Sequence, residues 1–424
     1  MQPPRCLGLL RTGAWIPPAS WIPGRAQCDH LKMAAQKPAL PKADTATSSS
    51  YELIGGKKLC RRLSVAFYAR VAKDPILRPL FPGRSFKCAI EQFTAFLAQF
   101  LGGPSEDAQP RWWLSLHESH MRFKIGPEER AAWMKNMLQA FDDVPVGEPI
   151  RTELLALFDR SSAYLVNQGE KPAISKVHMS AEISRRWEAQ TKLDQAVAAI
   201  RCGNADRAIS LAESSALQIC GRSTQGGLLA LMIRSGHDVL IGYVREKVTR
   251  DPALVHERLR HGRTLLHEAA AAGSLSVTKL LLALGADPDA RDGGGHTPLY
   301  CLGNECGVQG GGNVVRALVH AGADVNADDG VKHCTPLHMA ARRGNLEIAE
   351  ALLGCGANLE SRDSVGDTPL RRAVNCNKVE LASLLLAGGA DVLSVGSKGA
   401  TPILAARTTA MKKLLDAVDA GMQR

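Results

Sequence analysis

Between residues 57 and 73 the apolar side chains Leu63, Phe67 and Val71 recur every fourth position, with Leu59 and Tyr68 beside them. That stripe predicts an amphipathic helix, opened by Gly55-Gly56. A second stripe, Ile90, Phe93, Phe96, Leu97 and Phe100, follows the Pro-bounded turn Pro75 to Pro82 and stops at Gly102-Gly103-Pro104. Glu128 to Phe141 and Thr152 to Val166 carry two more apolar-striped segments. The first part of the fold is therefore expected to be all-α.

The pattern changes along the chain. All nine Phe lie between Phe67 and Phe158, and neither Phe nor Trp occurs beyond residue 200. Such a step in aromatic content marks a domain boundary. Residues 1–50 hold seven of the 22 prolines and show no periodicity, so they are read as a disordered leader or a mis-assigned start, with Met33 as the alternative first residue. The expected division is a helical domain at 51–168, a linker at 169–185 around Gly169, Lys171 and Pro172, and a second region from 186 onward.

In that second region Thr264, Thr297, Thr335, Thr368 and Thr401 are separated by 33, 38, 33 and 33 residues. A period of this size predicts a solenoid. Each Thr opens a version of one phrase, as in Thr297-Pro-Leu-Tyr300 and Thr335-Pro-Leu-His338, and helix stops recur at Gly285-Ala-Asp287, Gly322-Ala-Asp324 and Gly389-Ala-Asp391. Pro suits the first helical turn and a Thr hydroxyl can satisfy free amides there. These phrases resemble ankyrin repeats, expected over 261–424, with degenerate copies over 186–260 suggested by Gly203-Asn204 and Gly236-His237, again 33 apart. His267 and His338 are read as inter-repeat hydrogen-bonding groups rather than metal ligands. Cys306 to Gly312 supplies five extra residues, and without a G-K-[ST] ending it is not read as a phosphate loop.

The first domain resembles the group II truncated haemoglobins over about 51–168. The resemblance rests on Gly55-Gly56, Phe67-Tyr68, Leu80-Phe81-Pro82, Gly102-Gly103-Pro104, His120-Met-Arg-Phe123-Lys-Ile-Gly126 and Trp133, in that order. It implies a shortened two-over-two globin around haem b, with His120 as the proximal iron ligand and His117 as the competing candidate. By the same resemblance Tyr68 and Trp133 are the distal polar residues and Phe81 packs on the porphyrin. Phe67, Phe93 and Phe96 are candidate pocket walls, and Arg111, Arg122 and Lys124 are candidate partners of the haem propionates. The family usually carries Arg just before the proximal His and Pro two residues after it, where this chain has Ser119 and Arg122. Ala89 stands where many globins place a distal His. The chemistry suits these types: ferrous haem needs one neutral imidazole, and bound O₂ gains partial negative charge that a phenol or indole donor stabilises.

Charge and cysteine content narrow the partners. The net charge of +10 is spread thinly, with 16 basic and 13 acidic residues over 51–168, so no basic stripe points to nucleic acid. Eleven scattered cysteines, an odd number, point to reduced thiols in a cytoplasmic setting. The most apolar stretch, Gly227 to Val244, is interrupted by Arg234, Gly236, His237 and Asp238, and no membrane span is expected. The expected function is binding of O₂, NO or CO at a five-coordinate haem iron, with ankyrin repeats engaging a protein partner for gas sensing or localisation. The alternative is a nitric oxide dioxygenase or peroxidase-type globin, which needs a separate reductase because no flavin or nicotinamide fingerprint is present. A scaffold with a vestigial haem pocket is the third reading.

Overall fold

Two consecutive left-handed residues, Gly55 (φ 90°) and Gly56 (φ 64°), turn the chain from a short helix α1 (Ser50–Leu53) into α2 (Gly56–Val71). A side chain at either position would be strained, which explains the Gly-Gly pair. The computed structural model describes residues 49–422 apart from 82, 84, 105–114, 174–178, 219 and 397–398. The leader read at 1–50 falls outside them except for Ser49 and Ser50, as does Arg111. Every regular element among the described residues is helical.

The striped segments form α3 (Lys87–Leu101), α5 (Pro127–Asp143) and α6 (Ile150–Leu165), with a short α4 (Leu116–His120) between α3 and α5. The α2 and α3 helices pack together, α5 packs on α6, and α2 also lies against α5. This is the two-over-two arrangement that the resemblance implies. Its core is the aromatic-rich set Phe67, Phe96, Phe100, Phe141 and Phe158 with Leu63, Leu97, Leu154 and Leu157. The end of α3 uses both glycines of Gly102-Gly103: Gly102 adopts φ 85°, and a Cβ on Gly103 would stand 2.9 Å from the buried Tyr51 ring.

The long helix α7 (Ala181–Arg201) begins inside the stretch expected as a linker. Its first turns, with Met179 just ahead of them, put Ile183 and Trp187 into the aromatic core. Its later turns put Leu193, Ala196, Val197 and Ile200 into a second core that continues to Leu415. One helix thus belongs to both hydrophobic cores. Left-handed glycines at Gly203 (φ 72°) and Gly236 (φ 67°) join the next helices as Gly344 (φ 79°) does further on.

Beyond residue 260 the chain repeats a pair of short helices, as in Pro336–Arg343 and Leu346–Gly354. The repeating Thr caps the first helix of each pair: the hydroxyls of Thr297, Thr368 and Thr401 accept from the amides of Tyr300, Arg371 and Leu404. His267 and His338 are fully buried and hydrogen-bonded at both nitrogens. In each, Nδ1 accepts from the amide of Thr264 or Thr335 at 3.1 Å, and Nε2 donates to the next repeat's backbone, His296 O or Asp367 O, at 3.0 Å. The inserted loop is filled from within the protein, since the Glu347 carboxylate accepts from the amides of Gly310 (2.9 Å) and Gly312 (3.0 Å). No helix among the described residues is long and apolar enough to cross a membrane.

Candidate functional site

His120 ends α4, a helix whose third amide, that of Glu118, is capped by the Ser115 hydroxyl at 3.0 Å. Its Nδ1 lies 2.8 Å from the carbonyl oxygen of Leu116. A carbonyl can only accept, so Nδ1 carries the hydrogen and Nε2 keeps its lone pair. Desolvation is the largest influence on the imidazole and lowers its pKa below the ordinary 6.5, so the ring is neutral at pH 7. An imidazole that binds a metal through Nε2 requires this tautomer and this charge. His117, the competing candidate, is exposed and packs edge-on against Tyr164 at 5.7 Å.

The remaining candidates gather around one aromatic assembly. From His120 a chain of ring contacts runs to Phe123 (6.1 Å), Phe81 (6.3 Å) and Tyr68 (5.6 Å). Tyr68 continues to Phe93 at 6.3 Å, and Phe93 to Trp133 at 6.2 Å. Phe67 lies 5.1 Å from both Tyr68 and Trp133. Phe96 stacks on Phe93 at 5.8 Å and lies tilted against Phe100 at 4.6 Å, toward the closed core. Burial raises the pKa of the Tyr68 phenol, which therefore keeps its hydrogen and can donate it.

These residues suit a flat apolar cofactor. Tyr68, Phe81, Phe93, Phe123 and Trp133 all belong to the aromatic core or pack against it, yet each is only half-buried. Large rings left incompletely covered at one edge of a core are surface for a planar hydrophobic partner. Cations stand nearby: Arg122 and Lys124 are exposed, and the Arg122 guanidinium lies 4.7 Å above the Phe123 ring.

Sequence reading did not select three further residues. Phe86 packs 5.5 Å from Tyr68 and 5.6 Å from Phe81. Arg78 lies over Phe86 at 5.3 Å and donates to the carbonyls of Phe81 and Gly83. The concentration of Phe within this domain was the available signal for Phe86, and the three-residue spacing to Phe81 was the signal for Arg78. The third is Asp194 on α7, whose carboxylate accepts from the amides of Leu116 (2.9 Å) and His117 (3.2 Å). Nothing in the sequence points to it.

Residues 49–167 match the bacterial-like globin family, residues 261–293 match an ankyrin repeat, and residues 304–395 match a three-copy ankyrin array. The chain is 35% identical over 123 residues to the group 2 truncated hemoglobin YjbI of Bacillus subtilis, covering 29% of this chain and 92% of that protein. It is 28% identical over 119 residues to the two-on-two hemoglobin-3 of Arabidopsis thaliana, covering 26% of this chain and 68% of that one. Its repeats are 33% identical over 111 residues to the human SH3 and multiple ankyrin repeat domains protein 2, covering 26% of this chain and 6% of that much longer protein. With its two-over-two helical core and these matches, the chain belongs to the bacterial-like globins of truncated-haemoglobin type, fused to C-terminal ankyrin repeats.

Proposed function

We infer that this protein would hold haem b through His120 Nε2 and would take O₂, NO or CO at the iron, while its ankyrin repeats hold a protein partner. Gas sensing, or placing a gas-binding globin where its partner resides, is the resulting function. The observation that carries this reading is the Nδ1 contact of His120 with Leu116, which fixes the Nδ1–H tautomer of a neutral imidazole beside a half-covered aromatic wall.

Haem held there would supply an iron that takes a diatomic ligand. Around it the chain's own residues divide the work. Tyr68 and Trp133 offer an O–H and an N–H to a ligand atom that carries partial negative charge. Phe81, Phe86 and Phe93 keep the macrocycle dry, which strengthens those hydrogen bonds. Arg122, Lys124 and Arg78 provide positive charge for the propionates at the rim. The scattered cysteines support a reducing, cytoplasmic setting.

The test is the absorption spectrum of the purified protein, reduced and then exposed to CO, beside His120→Ala and His117→Ala. The wild type should show a Soret band that shifts with CO, and His120→Ala should lose it or leave the spectrum of free haem. Loss in His117→Ala with retention in His120→Ala overturns the assignment.

A further inference from the structure

The globin family match ends at residue 167, yet the helix bearing His120 is held by a residue beyond it. An α-helix leaves its first amides without internal partners. In α4 these are Leu116 and His117, bonded to the two carboxylate oxygens of Asp194, and Glu118, bonded to Ser115. Asp194 is 4% exposed, and its Oδ1 also accepts from Gln190 Nε2 at 2.8 Å. Negative charge at a helix start is favourable, and a buried charge-assisted bond is among the stronger polar contacts in a protein.

Leu116 carries the connection in both directions. Its amide donates to Asp194 and its carbonyl accepts from His120 Nδ1. Asp194 is thus two hydrogen bonds, through a single residue, from the imidazole. Two flanking contacts join the same elements. Tyr164 of α6 lies 5.7 Å from the His117 ring and 5.6 Å from the Trp187 ring of α7. Arg201 of α7 pairs with Glu118 at 2.8 Å, an exposed pair of small energetic weight. Because α7 is buried in both cores, it cannot shift against the repeats without carrying its carboxylate along.

The geometry points to Asp194 as a positioning residue for His120, supplied by the first helix of the repeat region, through which the array and the iron site are linked. Hydrogen bonding at Nδ1 sets how strongly an imidazole donates to its metal. A partner that moves α7 therefore changes ligand affinity at the iron, and ligation changes partner affinity by the same factor. This rests on the haem reading given above.

The experiment uses the full chain loaded with haem, ferrous and unliganded. Resonance Raman reads the iron–histidine stretching frequency, and flash photolysis reads CO association, in wild type, Asp194→Asn and Asp194→Ala. Glu188→Ala, an exposed change on the same helix, is the control. Both Asp194 variants should shift the stretching mode, Ala more than Asn, and should change CO association about fivefold or more; the control should match wild type. If Asp194→Ala does not fold, Asp194→Asn carries the same comparison. Hydrogen exchange should also show the Leu116 and His117 amides opening faster. A haem-loaded Asp194→Asn protein with wild-type frequency and CO kinetics overturns the proposal alone. A wild-type protein without a Soret band overturns the haem reading, and the proposal with it.

Discussion

The carbonyl oxygen of Leu116 is shared: His120 Nδ1 reaches it at 2.8 Å and the hydroxyl of Ser119 donates to it at 2.7 Å. Ser119 Oγ also stands 2.9 Å from Nδ1. Two donors at one carbonyl weaken each other, so Ser119 modulates the hydrogen bond that fixes the ring of His120, the proposed iron ligand.

Ser119→Ala should therefore strengthen the Nδ1–H contact with Leu116 and raise the iron–histidine stretching frequency of the ferrous protein. Resonance Raman on the loaded variant checks this. An unchanged or lowered frequency would mean that the Ser119 hydroxyl assists the imidazole rather than competing with it.

If Tyr68 and Trp133 are the distal donors proposed above, Tyr68→Phe and Trp133→Phe each remove one donor from the haem pocket. One such hydrogen bond is worth ~1–2 kcal/mol, so O₂ dissociation should accelerate about five- to thirtyfold in each. Stopped-flow displacement of O₂ by CO measures it. If both variants keep the wild-type rate, the two side chains serve packing alone.

The repeats should lose stability in mild acid. Burial depresses the pKa of His267 and His338 below the ordinary 6.5, and protonating Nδ1 would remove the acceptor for the Thr264 or Thr335 amide. The unfolded chain then binds more protons, so this stability is complete above pH 6.5 and is lost as pH falls through 6.5 toward the folded value. Hydrogen exchange across 264–270 and 335–341, corrected for intrinsic rates, should show greater opening at pH 5 than at pH 7.5. The double variant His267→Gln, His338→Gln should be weaker but flatter across the same range; equal pH dependence in the two proteins would place the acid sensitivity elsewhere.

Gly303 lies inside a helix, where Ala would ordinarily add about 1 kcal/mol of helix propensity. Here a Cβ would stand 2.8 Å from the backbone oxygen of Pro336 and 3.5 Å from the Ala340 amide nitrogen in the next repeat. Backbone cannot yield as a flexible side chain can, and overpacking of this kind costs about 1–3 kcal/mol. The steric cost should win, so Gly303→Ala should lower the urea midpoint of the array; a raised midpoint would show that the two repeats can separate freely.

Much of this architecture was legible because it is written in local period. Leu63, Phe67 and Val71 do share a buried helix face, and the phrase opened by each Thr does begin a capped helix. His120 and Trp133 were selected through a motif of ordered short phrases, a local signal of another kind, and the fold brings both to one aromatic assembly. Asp194 was not, for a physical reason: it is one acid among 42 Asp and Glu, and its partners are backbone amides 78 and 77 positions away, which leave no trace in residue type. By chain order alone, Thr152 to Val166, the last striped segment before residue 169, would be the connection between the halves. The fold adds a contact that skips that helix and reaches α4 from α7.

The double membership of α7 bears on how this protein can be made. A ribosome that has just released residue 167 has delivered every residue of the family match, but not Met179, Ile183 or Trp187, which complete the aromatic core, nor the acid that closes the amides of Leu116 and His117. Those side chains arrive only with a helix that belongs equally to the globin's successor. A gene cut at the family boundary would release a globin with an uncovered seam, and the natural place to divide the message lies past Arg201.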